Sequence, residues 1–351
     1  MHLYKPLLAE KHKKIIRVAY ISLILVATLV SISAVSVLYT TQIALELSRY
    51  TQPLSEDNEP KYTPPPFPIG VHPAAKAITE NPGVNTYLDS ALSYTTQKDP
   101  IKNNWVGYTI AKLAQLDWYQ NLASPTGRIL VVRPGARREE VLKNFSKILH
   151  WDEEMKQTFT ALVVSAAPAM EDGKFFPAHY LVGKNATPEE VADILTQRFN
   201  TEIRTRYPSD VERLVPMEDA LIIASLLEIE AYDFIDMREI SGVIWNRLFI
   251  GMNLQIDATL QYAKGTASET TWYPQVKPDD KYIDSPFNTY QNAGLPPAPI
   301  GNPSTAAVLA ALNPVNTDCF FYFHDKDSQF HCTPTYEQHV DLLKQFYGRG
   351  K

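Results

Sequence analysis

The sequence predicts an α+β protein carried behind an N-terminal membrane-spanning helix. Three observations carry that expectation. Residues Val18 to Tyr39 run for about 22 positions without a charge, roughly the length that crosses a hydrocarbon core as a helix. From Gly127, strand-like runs alternate with amphipathic, capped helical runs. From Pro208, long apolar helical stretches alternate with loops rich in proline and glycine.

The 351 residues leave room for a span plus one or two domains, and 45% hydrophobic, 21% charged and 11% aromatic residues describe an ordinary globular body. The net charge of -6 argues against nucleic acid as a partner, because phosphate binding needs a concentrated basic surface.

The first element, VAYISLILVATLVSISAVSVLY, has Lys5, Lys11, Lys13, Lys14 and Arg17 before it and Glu46, Glu56, Asp57 and Glu59 after it. The positive-inside rule then makes residues 1–17 a cytoplasmic tail, 18–39 a single transmembrane helix, and everything after it extracytoplasmic. The run exceeds a typical signal-peptide core and lacks an A-x-A site, so it reads as an uncleaved anchor. Residues 40–75, with SEDNEPKYTPPPFPIGVHP, read as a stiff Pro-rich linker. Residues 76–126 form an accessory segment in which TIAKLAQLDWYQNL has helical spacing but no chemical motif.

In the next unit, GRILVVRPGA reads as a strand ending at a Pro-Gly turn, and ARREEVLKNFSKIL as a helix with apolar Val141, Leu142, Phe145, Ile148 and Leu149. In ATPEEVADILTQRF, Thr187 suits an N-cap, Pro188 the first turn and Glu190 a capping box. A strand followed by a short capped helix is the kind of unit found in LysM-like carbohydrate-binding domains, so residues 127–207 are expected to form a small LysM-like α+β domain.

Residues 208–351 carry the chemistry. MEDALIIASLLEIEAYDF and ISGVIWNRLFIGM read as helices, the second ending at Gly251. STAAVLAALNP and EQHVDLLKQF are further helices. Cys319 and Cys332 flank the polar turn HDKDSQ of a predicted hairpin; a disulfide and two free thiols stay equally open, since pairing needs specific Cβ geometry. No Cys/His spacing suits a metal, and no cofactor is indicated.

Two carboxylates, Glu228 and Glu230, sit in an otherwise apolar helix. Two residues apart means about 200° around the axis, so they face nearly opposite ways. Ala224, Ser225 and Ala231 leave space beside Glu228; Glu230 lies with Leu226, Leu227 and Phe234 and needs a buried partner. Gln255 and Asp257, two apart, would share a face on an extended segment, and Asn288, Thr289 and Tyr290 offer groups suited to a sugar.

ASLLEIEA, NRLFIGMNLQIDATLQY, DSPFNTYQNAGLPPAPIGNPS and ALNP, in this order and spacing, closely resemble the YceG-like endolytic murein transglycosylases (MltG family) over residues 208–345; EDGKFFPAHY resembles an earlier family segment more faintly. The resemblance implies a YceG-like catalytic domain with Glu228 as its single acid/base, Glu230 in support, and substrate contacts from Gln255, Asp257, Asn288, Thr289 and Tyr290. Departures occur at Ile256, Ala258, Phe287 and Cys332. It further implies an inner-membrane enzyme, a lyase, that cuts peptidoglycan strands between N-acetylmuramic acid and N-acetylglucosamine with anhydromuramyl products, with cell-wall synthases as candidate partners. The alternatives are a membrane-tethered peptidoglycan-binding scaffold without catalysis, and a muramidase-type hydrolase using Glu228 with Asp257.

Overall fold

The computed structural model describes residues 20–33, 65–95, 127–165, 171–265 and 272–348. Residues 20–33 are helical and exposed along their whole length. The rest of the expected span, its cytoplasmic tail, residues 40–64 of the linker and the TIAKLAQLDWYQNL run lie outside the described residues. Among the described residues no helix is long and apolar enough to cross a membrane.

Where a linker was expected up to residue 75, the chain has already joined the body. Phe67 and Val71 are buried, and the Phe67 amide donates to Arg206 O at 2.7 Å. The short strands β1 (Val71–His72) and β2 (Ala77–Ile78) pair antiparallel. The Arg206 guanidinium stacks over Phe67 and Tyr87. Two large apolar side chains inside a proline-rich run gain more from burial than an extended spacer gains from hydration. Helix α1 (Val84–Thr95) follows, with Val84 and Leu88 buried.

Strand β3 (Gly127–Val132) leads through Pro134 and Gly135 into α2 (Arg138–Leu149). Val141, Phe145, Ile148 and Leu149 are buried at helical spacing, as the sequence pattern requires. A helix not expected from sequence, α3 (Glu153–Ser165), precedes β4 (Ala178–Gly183), which pairs antiparallel with β3 from Gly127↔Gly183 to Val132↔Ala178. In α4 (Pro188–Glu202) the predicted capping box is formed: Glu190 N donates to Thr187 Oγ1, and Thr187 N to Glu190 Oε2 at 3.0 Å.

After the short α5 (Ser209–Leu214) comes α6 (Met217–Glu230), buried at Met217 and at every position from Ala220 to Leu227. A helix apolar all round belongs at the centre of a core. It packs against α7 (Phe234–Ile250), α8 (Asp257–Gly265) and α9 (Thr305–Leu312). Gly251 closes α7 in the left-handed region, φ 71°. The hairpin β5 (Phe321–His324) and β6 (Phe330–Thr333) is tied to α7 by Asn246 and Arg247, which donate to Cys319 O and Phe320 O. Cys319 and Cys332 form a disulfide with Cα atoms 5.7 Å apart. Helix α10 (Tyr336–Tyr347) ends the described chain. One hydrophobic cluster runs from Phe67 through the β3–α4 unit into α6 and α9.

Candidate active site

The site forms at the C-terminal end of α6, where the buried helix reaches the surface. Glu228 is partly exposed, and its Oε2 accepts from Ser304 N at 2.9 Å and Ser304 Oγ at 2.7 Å. Ser304 is also the N-cap of α9, its hydroxyl accepting from Ala307 N. Three residues before Glu228, Ser225 accepts from Ile300 N at 3.0 Å and donates to Ile222 O at 2.7 Å. The 300–304 loop is therefore pinned along the same helix that carries Glu228.

Asn302 extends this anchorage to the β3–α4 unit. Its Oδ1 accepts from Gly173 N at 2.9 Å and Phe175 N at 2.8 Å, and its Nδ2 donates to Ala136 O at 2.7 Å. Gly135 N donates to Asn302 O, and the Tyr273 hydroxyl lies 2.9 Å from Gly135 O and 2.7 Å from Ile300 O. The turn after β3 thus rests directly on the Glu228 end of α6. A side chain at Gly135 would stand 2.9 Å from Ile229 Cδ1 and 3.8 Å from Glu228 Cγ.

Glu230 turns to the other side, as helix geometry requires. Its Oε1 accepts from Ala258 N in the first turn of α8 at 3.2 Å, and its Oε2 from the Tyr322 hydroxyl of β5 at 3.3 Å. Burial raises its pKa and the neighbouring Asp257 adds to this, while the Ala258 and Tyr322 hydrogen bonds and His324 oppose it. His324 in turn pairs with Asp236 at 2.9 Å. The buried partner that Glu230 needed comes from two elements far along the chain.

Gln255 and Asp257 do not lie on an extended segment. Gln255 sits in the left-handed region at φ 50°, with its amide on Thr289 O, and Asp257 opens helix α8. The same-face argument from strand geometry is therefore replaced by a turn that exposes both side chains. Asp257 Oδ1 accepts from the Tyr290 hydroxyl at 2.6 Å, and Lys281 Nζ lies 4.8 Å above the Tyr290 ring. Asn288 and Thr289 are buried. Asn288 donates to Lys281 O and Ile283 O and accepts from Tyr290 N. Thr289 Oγ1 accepts from Ile256 N and meets Thr259 Oγ1 at 3.0 Å. These two side chains shape the loop that presents Tyr290.

Sequence reasoning missed Ser304, Asn302 and Tyr273. For Ser304 a local signal existed, a serine directly before the apolar run TAAVLAAL, which is the mark of an N-cap. It also missed a buried cluster in which Asp172 accepts from Arg138 N and from the Tyr262 hydroxyl at 2.8 Å, while Arg137 stacks on the Tyr262 ring at 3.8 Å. Among the described residues no group of three or more His, Cys, Asp or Glu could hold a metal ion.

With this geometry in place, comparison with known proteins is specific. The profile of the YceG-like family matches residues 90–345. An endolytic murein transglycosylase of Bacillus subtilis is 34% identical over 177 residues, 50% of this chain and 48% of that protein. One of Streptococcus pneumoniae is 30% identical over 154 residues, 44% of this chain and 28% of that protein. The aligned regions thus span about half or less of these relatives' length. A crystal structure of a yceG-like protein from Listeria monocytogenes shares the fold with a TM-score of 0.54 at 21% identity, over 75% of this chain and 97% of that one.

Proposed function

This chain belongs to the YceG-like family, and from that premise we propose that it is an endolytic peptidoglycan lytic transglycosylase with Glu228 as its single acid/base. Glu228 protonates the glycosidic oxygen between N-acetylmuramic acid and N-acetylglucosamine, and the bond to the muramyl C1 breaks as the glucosamine hydroxyl leaves. The resulting carboxylate then takes the proton of the muramyl C6 hydroxyl as that oxygen closes on C1. An anhydromuramyl end forms, Glu228 regains its proton, and water takes no part.

One observation carries this proposal. The two carboxylates of α6 have different surroundings: Glu228 emerges partly exposed beside Ser304, whereas Glu230 is bound between the Ala258 amide and the Tyr322 hydroxyl. A helix that presents one of its two carboxyls suits a reaction that uses one. The curated relatives from Bacillus subtilis and Streptococcus pneumoniae carry the name endolytic murein transglycosylase.

In this reading Gln255, Asp257 and Tyr290 contact the glycan, while Asn288 and Thr289 hold their loop and Glu230 fixes the start of α8. Residues 127–207 serve as a LysM-like strand-binding unit. Residues 18–39 anchor the protein in the inner membrane with its N-terminus cytoplasmic, which keeps the body near nascent strands and the synthases that make them.

Mass spectrometry of purified glycan strands digested by the protein tests the proposal. Anhydromuramyl ends are expected. Reducing ends would replace it with hydrolysis through Glu228 and Asp257, and retention of strands without any cleavage would replace it with a tethered scaffold.

A further inference from the structure

The geometry points to Ser304 as a positioning residue that clamps the Glu228 carboxyl by Oε2 and thereby directs its acid proton to Oε1; this rests on the transglycosylase function proposed above. Both donors of Ser304 converge on the same oxygen, the amide at 2.9 Å and the hydroxyl at 2.7 Å. An oxygen that accepts two hydrogen bonds is a poor place for a carboxyl proton, so in the neutral acid the proton belongs on the other oxygen. After transfer, the same two donors face a carboxylate, and hydrogen bonds to an ionised acceptor are the stronger kind. The contact therefore holds the carboxyl in one orientation through the proton transfer.

The position of Ser304 makes the clamp stiff. Its hydroxyl accepts from Ala307 N while donating to Glu228, so its rotor is fixed from both sides. The residue opens α9, whose positions Thr305 and Ala307 to Leu312 are all buried and which packs on α6 itself. Just upstream, Ser225 on α6 and Asn302 hold the same loop from two further directions. The acid and its clamp are thus parts of two packed helices whose separation is set by the core.

An ordinary N-cap serine would fit the same local pattern, so the test separates capping from clamping. Ser304→Gly keeps the backbone donor and, among cap substitutions, costs little capping strength; Ser304→Thr keeps the hydroxyl. With purified strands as substrate, S304G is expected to lose about tenfold in kcat with KM little changed, on the scale of one hydrogen bond to a charged group. S304T is expected to recover most of that loss. Urea midpoints of the unaltered protein, S304A, E228A and the double variant are expected to be non-additive, with S304A costing less once Glu228 is gone.

Additive midpoints overturn the clamp, as does an S304G variant with unchanged kcat or an S304T variant as slow as S304G. Non-additive midpoints in a protein that cuts no strands establish the contact and refute the transglycosylase function instead.

Discussion

The Asn302 side chain donates to the Ala136 carbonyl at 2.7 Å across 166 residues of sequence. The same side chain accepts from the amides of Gly173 and Phe175, and it is fully buried. One amide group thereby satisfies three main-chain groups of the β3–α4 unit from the loop that leads to Ser304. The relative placement of the strand-helix unit and the Glu228 helix rests on a polar contact as well as on the shared apolar core.

Asn302→Ala would leave the Gly173 and Phe175 amides buried without their partner, while Ala136 O keeps the bond from the main-chain amide of residue 302. A loss of about 3 kcal/mol in unfolding free energy is expected, since each orphaned buried group costs about 1–3 kcal/mol and some recover water. Urea denaturation measures it; a loss under about 1 kcal/mol would mean that the loop is held by its apolar neighbours alone.

Glu228→Gln keeps the shape of the side chain and an acceptor for Ser304 but cannot deliver a proton. Strand cleavage is expected to fall by at least about a hundredfold, in the range of general acid catalysis, with the thermal midpoint nearly unchanged. A folded variant that cuts at the normal rate would remove Glu228 from the mechanism.

Much of this was legible locally. The divergence of Glu228 and Glu230 follows from two residues of helical rotation, and the Thr187–Glu190 box and the Gly251 stop are written in adjacent residues. What was not legible depends on distant chain segments. Ser304 meets Glu228 over 76 residues, and Tyr322 meets Glu230 over 92. The left-handed backbone of Gln255, whose amide pairs with Thr289 O, was not legible because no local preference of glutamine signals it. The disulfide stayed open because its geometry depends on the hairpin register, with Tyr322 opposite Cys332.

Asp172 makes stability depend on pH. Burial, with Glu139 adding to it, raises its pKa from 3.8 to about 6, against the opposing Arg138 amide, Tyr262 hydroxyl and Arg137 charge. In the window between those values the folded protein holds a proton that the unfolded chain has released, so this contribution is complete below about pH 4 and is lost as pH rises through about 6. Asp172→Asn removes the titration. The unfolding free energy of the unaltered protein minus that of D172N is expected to fall by roughly 3 kcal/mol across that window and then level off. A difference that stays flat with pH would show that Asp172 titrates as it does in the unfolded chain.

The Cys319–Cys332 disulfide closes a loop with a sequence separation of 13, beneath the hairpin that carries Tyr322 to Glu230. Closing a loop of that size restricts the unfolded chain by about 3 kcal/mol in the chain-entropy account. Reduction, or Cys332→Ser, is expected to lower the unfolding free energy by about that amount. Denaturation with and without reductant decides it, and an unchanged midpoint would show that the bond adds nothing beyond the hairpin's own packing.

Gly135 tests whether the turn after β3 sets the position of Glu228. Its φ of +75° strains any residue with a side chain, and a Cβ there would stand 2.9 Å from Ile229 Cδ1, beside Glu228. Gly135→Ala is expected to cost about 1–2 kcal/mol in stability from the backbone alone. Asparagine tolerates the left-handed region better, so Gly135→Asn should recover part of that stability while keeping the crowding of Ile229. If the crowding displaces the end of α6, both variants lose strand cleavage alike although only one is strongly destabilised. An asparagine variant that regains cleavage in step with stability would show that the turn contributes through folding and leaves Glu228 where it is.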